Sequence, residues 1–176
     1  MAKILIIGEA PGQREDEEGR PFVGAAGKFL TELLKGIGLS REKDVYITNV
    51  VKCRPPANRD PKDDEIEACK PYLLKQINLI KPRLIITLGN HAGKWVFNLI
   101  GLSWKGVMKH RGKVYEGIIN GVKVLIVPTL HPASVLYNPR LKSVIDADFN
   151  LIKKVKSEID KHGVRKKTSL LNFIKG

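Results

Sequence analysis

The chain opens on an apolar run, KILIIG at residues 3–8, in which residues 4–7 carry no polar side chain, and this reads as a strand buried on both faces. A polar, glycine-rich stretch follows. Residues 25–36 then place Phe29, Leu30, Leu33 and Leu34 at the three-and-four spacing of an amphipathic helix. Residues 45–51 form a second strand, entered from turn signals around Gly38 and Asp44. Asp60-Pro61 opens a helix whose acids at 63–65 suit the positive end of its dipole, and it runs to about Ile80, before Pro82. Residues 84–88 are a third strand, followed by a helix holding Trp95, Val96 and Leu99. Residues 113–119 and 122–127 flank Asn120-Gly121, a strong hairpin signal. A last helix over about 140–161 lines up Ile145, Phe149, Ile152, Val155 and Ile159.

Strands alternating with helices predict an α/β fold, a three-layer α/β/α sandwich around a short, mostly parallel central sheet. One domain is expected over residues 1–162, with a basic C-terminal tail at 163–176. At 176 residues and 43% hydrophobic content the chain can bury a real core. No apolar run approaches the roughly 20 residues of a membrane span. The first strand follows a single Lys, so no signal peptide is read and a cytoplasmic, monomeric protein is expected.

Charge adds a partner. Lys and Arg number 31 against 18 acids, a net +13, and such chains meet polyanions because neutralised phosphates release counterions. Solubility, or the Lys-rich surface of a thermophile, explains less of so large a skew.

In an open α/β sheet, ligands bind in the loops just past the strand C-termini. Two polar motifs stand there: GEAPG (8–12) after the first strand, and HPAS (131–134) after the run that contains residues 122–127. Glu9 offers a carboxylate, Gly8 and Gly12 allow close backbone approach, and His131 offers a donor or proton carrier. The segment 8–24 is long for a strand-to-helix loop and is neither of the usual phosphate-cradle patterns. Within it, Phe22 suits core packing or stacking on a base. Asn49 ends the second strand at the same sheet edge, where its amide suits a turn or a base edge. His91, His110, His162, Trp95 and Trp104 show no partner pattern and read as surface or packing residues.

The segments GEAPGQREDEEGRPFVGAAG, TNVVKCRPPANRDP and HPAS resemble the family 4 uracil-DNA glycosylases of archaea and bacteria, over about residues 3–160. The resemblance implies a monofunctional DNA glycosylase that removes uracil by base flipping, oxocarbenium-like cleavage and water attack. It implies that Glu9 and the backbone at Ala10 hold the water, with Glu15 assisting. Phe22 would stack on uracil, Asn49 would bond its edge, and His131 would donate to uracil O2. Lys52, Arg54 and Arg59 would clamp phosphates. Ser134 belongs to the same DNA-contacting loop, and Val135 and Leu136 would wedge into the duplex. The family carries a [4Fe–4S] cluster on four cysteines. Cys53 and Cys69 match the second pair, the segment of the first pair is not found here, and no cofactor is expected for catalysis. Alternatives are a glycosylase of broader deaminated-base range, a non-enzymatic damage-sensing module, and a nucleotide-phosphate hydrolase, which lacks its usual motifs. In the tail, Leu170, Phe173 and Ile174 are spaced as in the motif that binds the sliding clamp, PCNA.

Overall fold

The computed structural model describes residues 4–162, so the tail and its clamp-motif residues lie outside the described part. Five strands form one sheet in the order β2-β1-β3-β5-β4. They are β1 (Ile4–Gly8), β2 (Val45–Asn49), β3 (Leu84–Leu88), β4 (Tyr115–Ile119) and β5 (Val122–Thr129). β1 pairs in parallel with β2 and with β3, β3 pairs in parallel with β5, and β4 is an antiparallel edge. β4 and β5 meet at Asn120-Gly121, both at positive φ, the backbone of a type I′ hairpin turn.

Among the described residues seven α-helices accompany the sheet: α1 (Gln13–Glu18), α2 (Ala25–Gly36), α3 (Asp63–Ile80), α4 (Gly89–Leu99), α5 (Val107–His110), α6 (Pro132–Tyr137) and α7 (Lys142–His162). Successive strand residues point to opposite faces. Ile4, Ile6, Leu84, Ile86, Leu125 and Val127 therefore pack with α2 and α7 on one side. Leu5, Ile7, Ile85, Val124 and Ile126 pack with α3 and α4 on the other. This is the expected three-layer sandwich.

The differences are local. The segment expected to be one long loop contains α1, and the HPAS loop is the first turn of α6. α3 begins at Asp63 rather than at Pro61, with the Glu65 carboxylate accepting the Lys62 N–H at 2.8 Å. β2 ends at Asn49, although Val50 and Val51 still donate to Gly8 and Glu9.

A buried ionic link steadies the end of β5. Thr129 donates to Asp148 Oδ2 at 2.7 Å, and Arg111 grips both Asp148 oxygens while donating to the Val144 carbonyl. The strand end that precedes His131 is thus tied to α7.

Candidate active site

Because β1, β2, β3 and β5 run parallel, their C-terminal ends share one edge, and the chain passes from β1 to β2 on one side and then crosses to β3 on the other. Such a switch point opens a crevice. Here it is a cleft of about 420 Å³ lined by Glu9, Ala10, Phe22, Asn49, His131 and Tyr137, among others. Three motifs separated by scores of residues meet in it.

Gly8 lies directly against two of the lining side chains. A Cβ at Gly8 would stand 2.5 Å from Asn49 Oδ1 and 2.6 Å from the Phe22 ring, so only glycine lets these two side chains converge. Phe22 is buried and holds φ at +53°, a left-handed conformation that costs a non-glycine residue on the order of 1–3 kcal/mol. Arg41 holds it there. Its guanidinium donates to the Phe22 carbonyl at 2.6 Å, the Pro21 carbonyl at 2.5 Å and Thr31 Oγ1 at 3.2 Å. Gly27 completes the turn, since any Cβ there would collide with the Phe22 carbonyl. The Phe22 ring lies near-parallel to that of His131, with centroids 5.6 Å apart.

Asn49 is 5% exposed, and its Oδ1 finds no hydrogen-bond partner among the described residues. Leaving a buried acceptor unpaired costs about 1–3 kcal/mol. His131 caps α6, its Nδ1 accepting the Ala133 N–H at 3.1 Å. Burial pushes the ring's pKa down to about 4, against a smaller opposing pull from Glu15. The imidazole is therefore neutral near pH 7, with its proton on Nε2, an uncharged donor. The Ser134 hydroxyl donates to the His131 carbonyl at 2.6 Å and braces the loop.

The two carboxylates differ. Burial raises the Glu9 pKa, while His91 pulls it back and Asp60 adds to the rise. His91 Nε2 lies 3.9 Å from Glu9 and 3.5 Å from Asp60, so this histidine has partners that its sequence neighbourhood does not disclose. Glu15 is opposed by burial, yet N–H groups of Gly24 and Val23 hold its carboxyl below the ordinary value. Its Oε1 accepts both, at 2.8 and 2.9 Å. That ties Glu15 Oε1 to the turn carrying Phe22, while the residue also lines the cleft.

One expected DNA contact is corrected, and others have partners within the protein. Val135 is 7% exposed and packs in the core, so it has no free side chain to drive into a duplex. Leu136 is 48% exposed, and beside it Tyr137, not foreseen, is 90% exposed at the cleft rim. Lys52 turns inward to Thr48, Asn49 and Gln76. Arg59 lines the cleft but forks onto Glu65 at 2.6 and 2.9 Å, and Arg54 donates to Asn58. Arg41 and His91 were missed because each meets its partners from far along the sequence.

Cys53 is exposed and Cys69 partly buried, both as free thiols. Cys69 Sγ accepts the Lys52 N–H at 3.3 Å. Two thiols are half of a four-thiolate set, so these residues do not by themselves fit a [4Fe–4S] cluster.

A mostly parallel sheet with a carboxylate, a buried amide and a neutral imidazole at one edge defines the class: the family model described as the uracil DNA glycosylase superfamily matches residues 1–153. A type-4 uracil-DNA glycosylase of Saccharolobus solfataricus is 51% identical over 176 residues, covering 99% of this chain and 78% of the relative. Its counterpart from Archaeoglobus fulgidus is 52% identical over 86% of this chain and 75% of the relative. That from Thermotoga maritima is 45% identical, covering 92% and 80%. The chain belongs to the type-4 uracil-DNA glycosylase family.

Proposed function

We propose that the chain is a monofunctional uracil-DNA glycosylase of base excision repair, hydrolysing the bond between C1′ and N1 of a flipped deoxyuridine. The observation that carries this reading is the buried Oδ1 of Asn49, without a hydrogen-bond partner among the described residues, in the cleft that Phe22 and the neutral His131 also line. A uracil stacked on Phe22 would present N3–H to Oδ1 and O4 to the amide NH2. Cytosine offers an acceptor at N3 and a donor at C4, and so would oppose both.

Bond cleavage leaves an oxocarbenium-like sugar and a uracil anion. His131 Nε2–H would donate to O2 as charge builds there, and a fixed donor of this kind is worth about 2.7–4 kcal/mol. A neutral donor suits the task because it gives up no proton. Glu9, with the main chain at Ala10, would orient the water that takes the sugar cation, and the cation's own reactivity leaves the carboxylate little else to do. Leu136 and Tyr137 would fill the gap in the duplex left by the flipped nucleotide. Leu170, Phe173 and Ile174 are assigned to a sliding-clamp contact on their sequence alone. Calorimetry against a clamp, with Leu170→Ala/Phe173→Ala as control, tests this, and equal binding by both proteins overturns it.

The activity is tested with a uracil-containing oligonucleotide and chelator present. Alkali-labile abasic sites are expected, with no strand break before alkali. A borohydride-trapped adduct contradicts the hydrolytic mechanism.

A further inference from the structure

Lys52 lies in the basic stretch after β2, where a phosphate contact is the natural expectation, yet its ammonium is already spent. Nζ donates to Thr48 Oγ1 at 2.8 Å, to the Asn49 carbonyl at 2.6 Å and to Gln76 Oε1 at 2.8 Å. An ammonium has three donors and no acceptor, so this set is complete, and none of the acceptors is a carboxylate. Burial lowers the lysine's pKa to about 8, with the Cys69 thiol opposing the shift. A strongly hydrated point charge is costly to place among neutral oxygens, and three charge-assisted bonds are needed to keep it there.

Those bonds converge on one place. Thr48 and Asn49 are the last two residues of β2. Gln76 stands on α3 and donates from Nε2 to the Tyr46 hydroxyl on β2 at 3.2 Å. The Lys52 N–H reaches Cys69 Sγ, also on α3, at 3.3 Å. Across the sheet, Val50 and Val51 donate to the carbonyls of Gly8 and Glu9 at 2.9 and 3.1 Å. The backbone bearing Asn49 is therefore held from β1 on one side and from α3, through Lys52, on the other. Only a fixed backbone can keep a short amide side chain aimed into the cleft with its oxygen unpaired.

We propose that Lys52 is a positioning residue for base selection: its three hydrogen bonds set the direction of the Asn49 amide, and it makes no phosphate contact. The proposal rests on the reading of Asn49 as the group that recognises the uracil edge.

The test compares wild type, Lys52→Met, Gln76→Leu and Asn49→Ala as full chains, well below their melting temperatures. Three quantities are read: the single-turnover rate on a uracil duplex, inhibition by free uracil, and the salt dependence of binding to an undamaged duplex. Lys52→Met is expected to lower the rate and weaken uracil inhibition each about ten-fold, the worth of one good hydrogen bond. Gln76→Leu moves both in the same direction by less, and decides the matter if Lys52→Met does not fold. Affinity for undamaged duplex and its salt slope stay at wild-type values. A slope reduced by about 0.9 with uracil inhibition intact makes Lys52 a phosphate contact and overturns the proposal. A lowered melting temperature with rate and inhibition unchanged makes it merely structural, with the same consequence. If Asn49→Ala keeps normal uracil inhibition, the reading of Asn49 itself falls and takes the proposal with it. If Asn49→Ala loses inhibition while both other variants keep it, only the role of Lys52 is refuted.

Discussion

The Nδ1 of His131 takes the Ala133 N–H, and that bond determines which nitrogen can donate into the cleft. His131→Ala is expected to lower the single-turnover rate by about 10²-fold while leaving affinity for undamaged DNA unchanged, because the donor acts in the transition state. A near-normal rate removes the anion-stabilising role. The pH dependence follows from two shifted groups. Burial raises Glu9 above its ordinary 4.5, so the first acid fall in rate belongs to Glu9, and Glu9→Gln abolishes it. His131, at about 4, protonates only at lower pH. The same depressed value weakens the fold in acid. Between pH 6.5 and 4 the unfolded chain binds a proton that the native ring refuses, so stability declines as pH falls through that window. The decline attributable to the ring is about 3 kcal/mol in all. Denaturant titrations of wild type and His131→Leu between pH 7 and 4 measure this, and parallel curves contradict it.

The turn carrying Phe22 is the element on which the cleft depends, and it is held by parts remote in sequence. Arg41, 19 residues away, binds its carbonyls, Glu15 binds its N–H groups, and Gly27 makes room for it. Arg41→Ala should lower the rate on uracil DNA more than it lowers stability, since it frees a strained backbone to relax away from the base. Loss of a hydrogen bond to a charged group is worth roughly 1.5–3 kcal/mol, or ten-fold and more in rate. Stopped-flow base-stacking fluorescence checks whether the base still docks. At the other end of the site, Arg111 and Asp148 fasten β5 to α7. Arg111→Ala leaves a buried carboxylate unpaired and is expected to cost about 3–5 kcal/mol in urea unfolding. A loss under 1 kcal/mol excludes this account.

At the scale of the whole molecule, the net charge of +13 sets how the enzyme meets its substrate. Binding to undamaged duplex should weaken steeply between 50 and 200 mM salt, with a linear log–log plot. A flat plot contradicts a phosphate-dominated encounter. Lys52 should contribute little to the slope, since its three donors already serve Thr48, Asn49 and Gln76. Among the described residues, no helix is long and apolar enough to cross a membrane.

Local pattern carried most of the fold. Apolar runs such as 4–7 and 84–88 can be buried only as central strands, and the faces of α2 and α7 show in their spacing, because burial acts on each element's own residues. GEAPG, Asn49 and HPAS could likewise be placed at one sheet edge, since parallel strands align their C-terminal ends. What the sequence did not determine were the contacts made across space. The inward turn of Lys52, the burial of Val135, the grip of Arg41 on Phe22 and the approach of His91 to Glu9 depend on which side chain another element places alongside. A lysine beside a proline-rich loop looks the same in sequence whether it faces phosphate or three neutral oxygens. The choice falls to desolvation and hydrogen-bond geometry, and these exist only once β1, β2 and α3 have packed together.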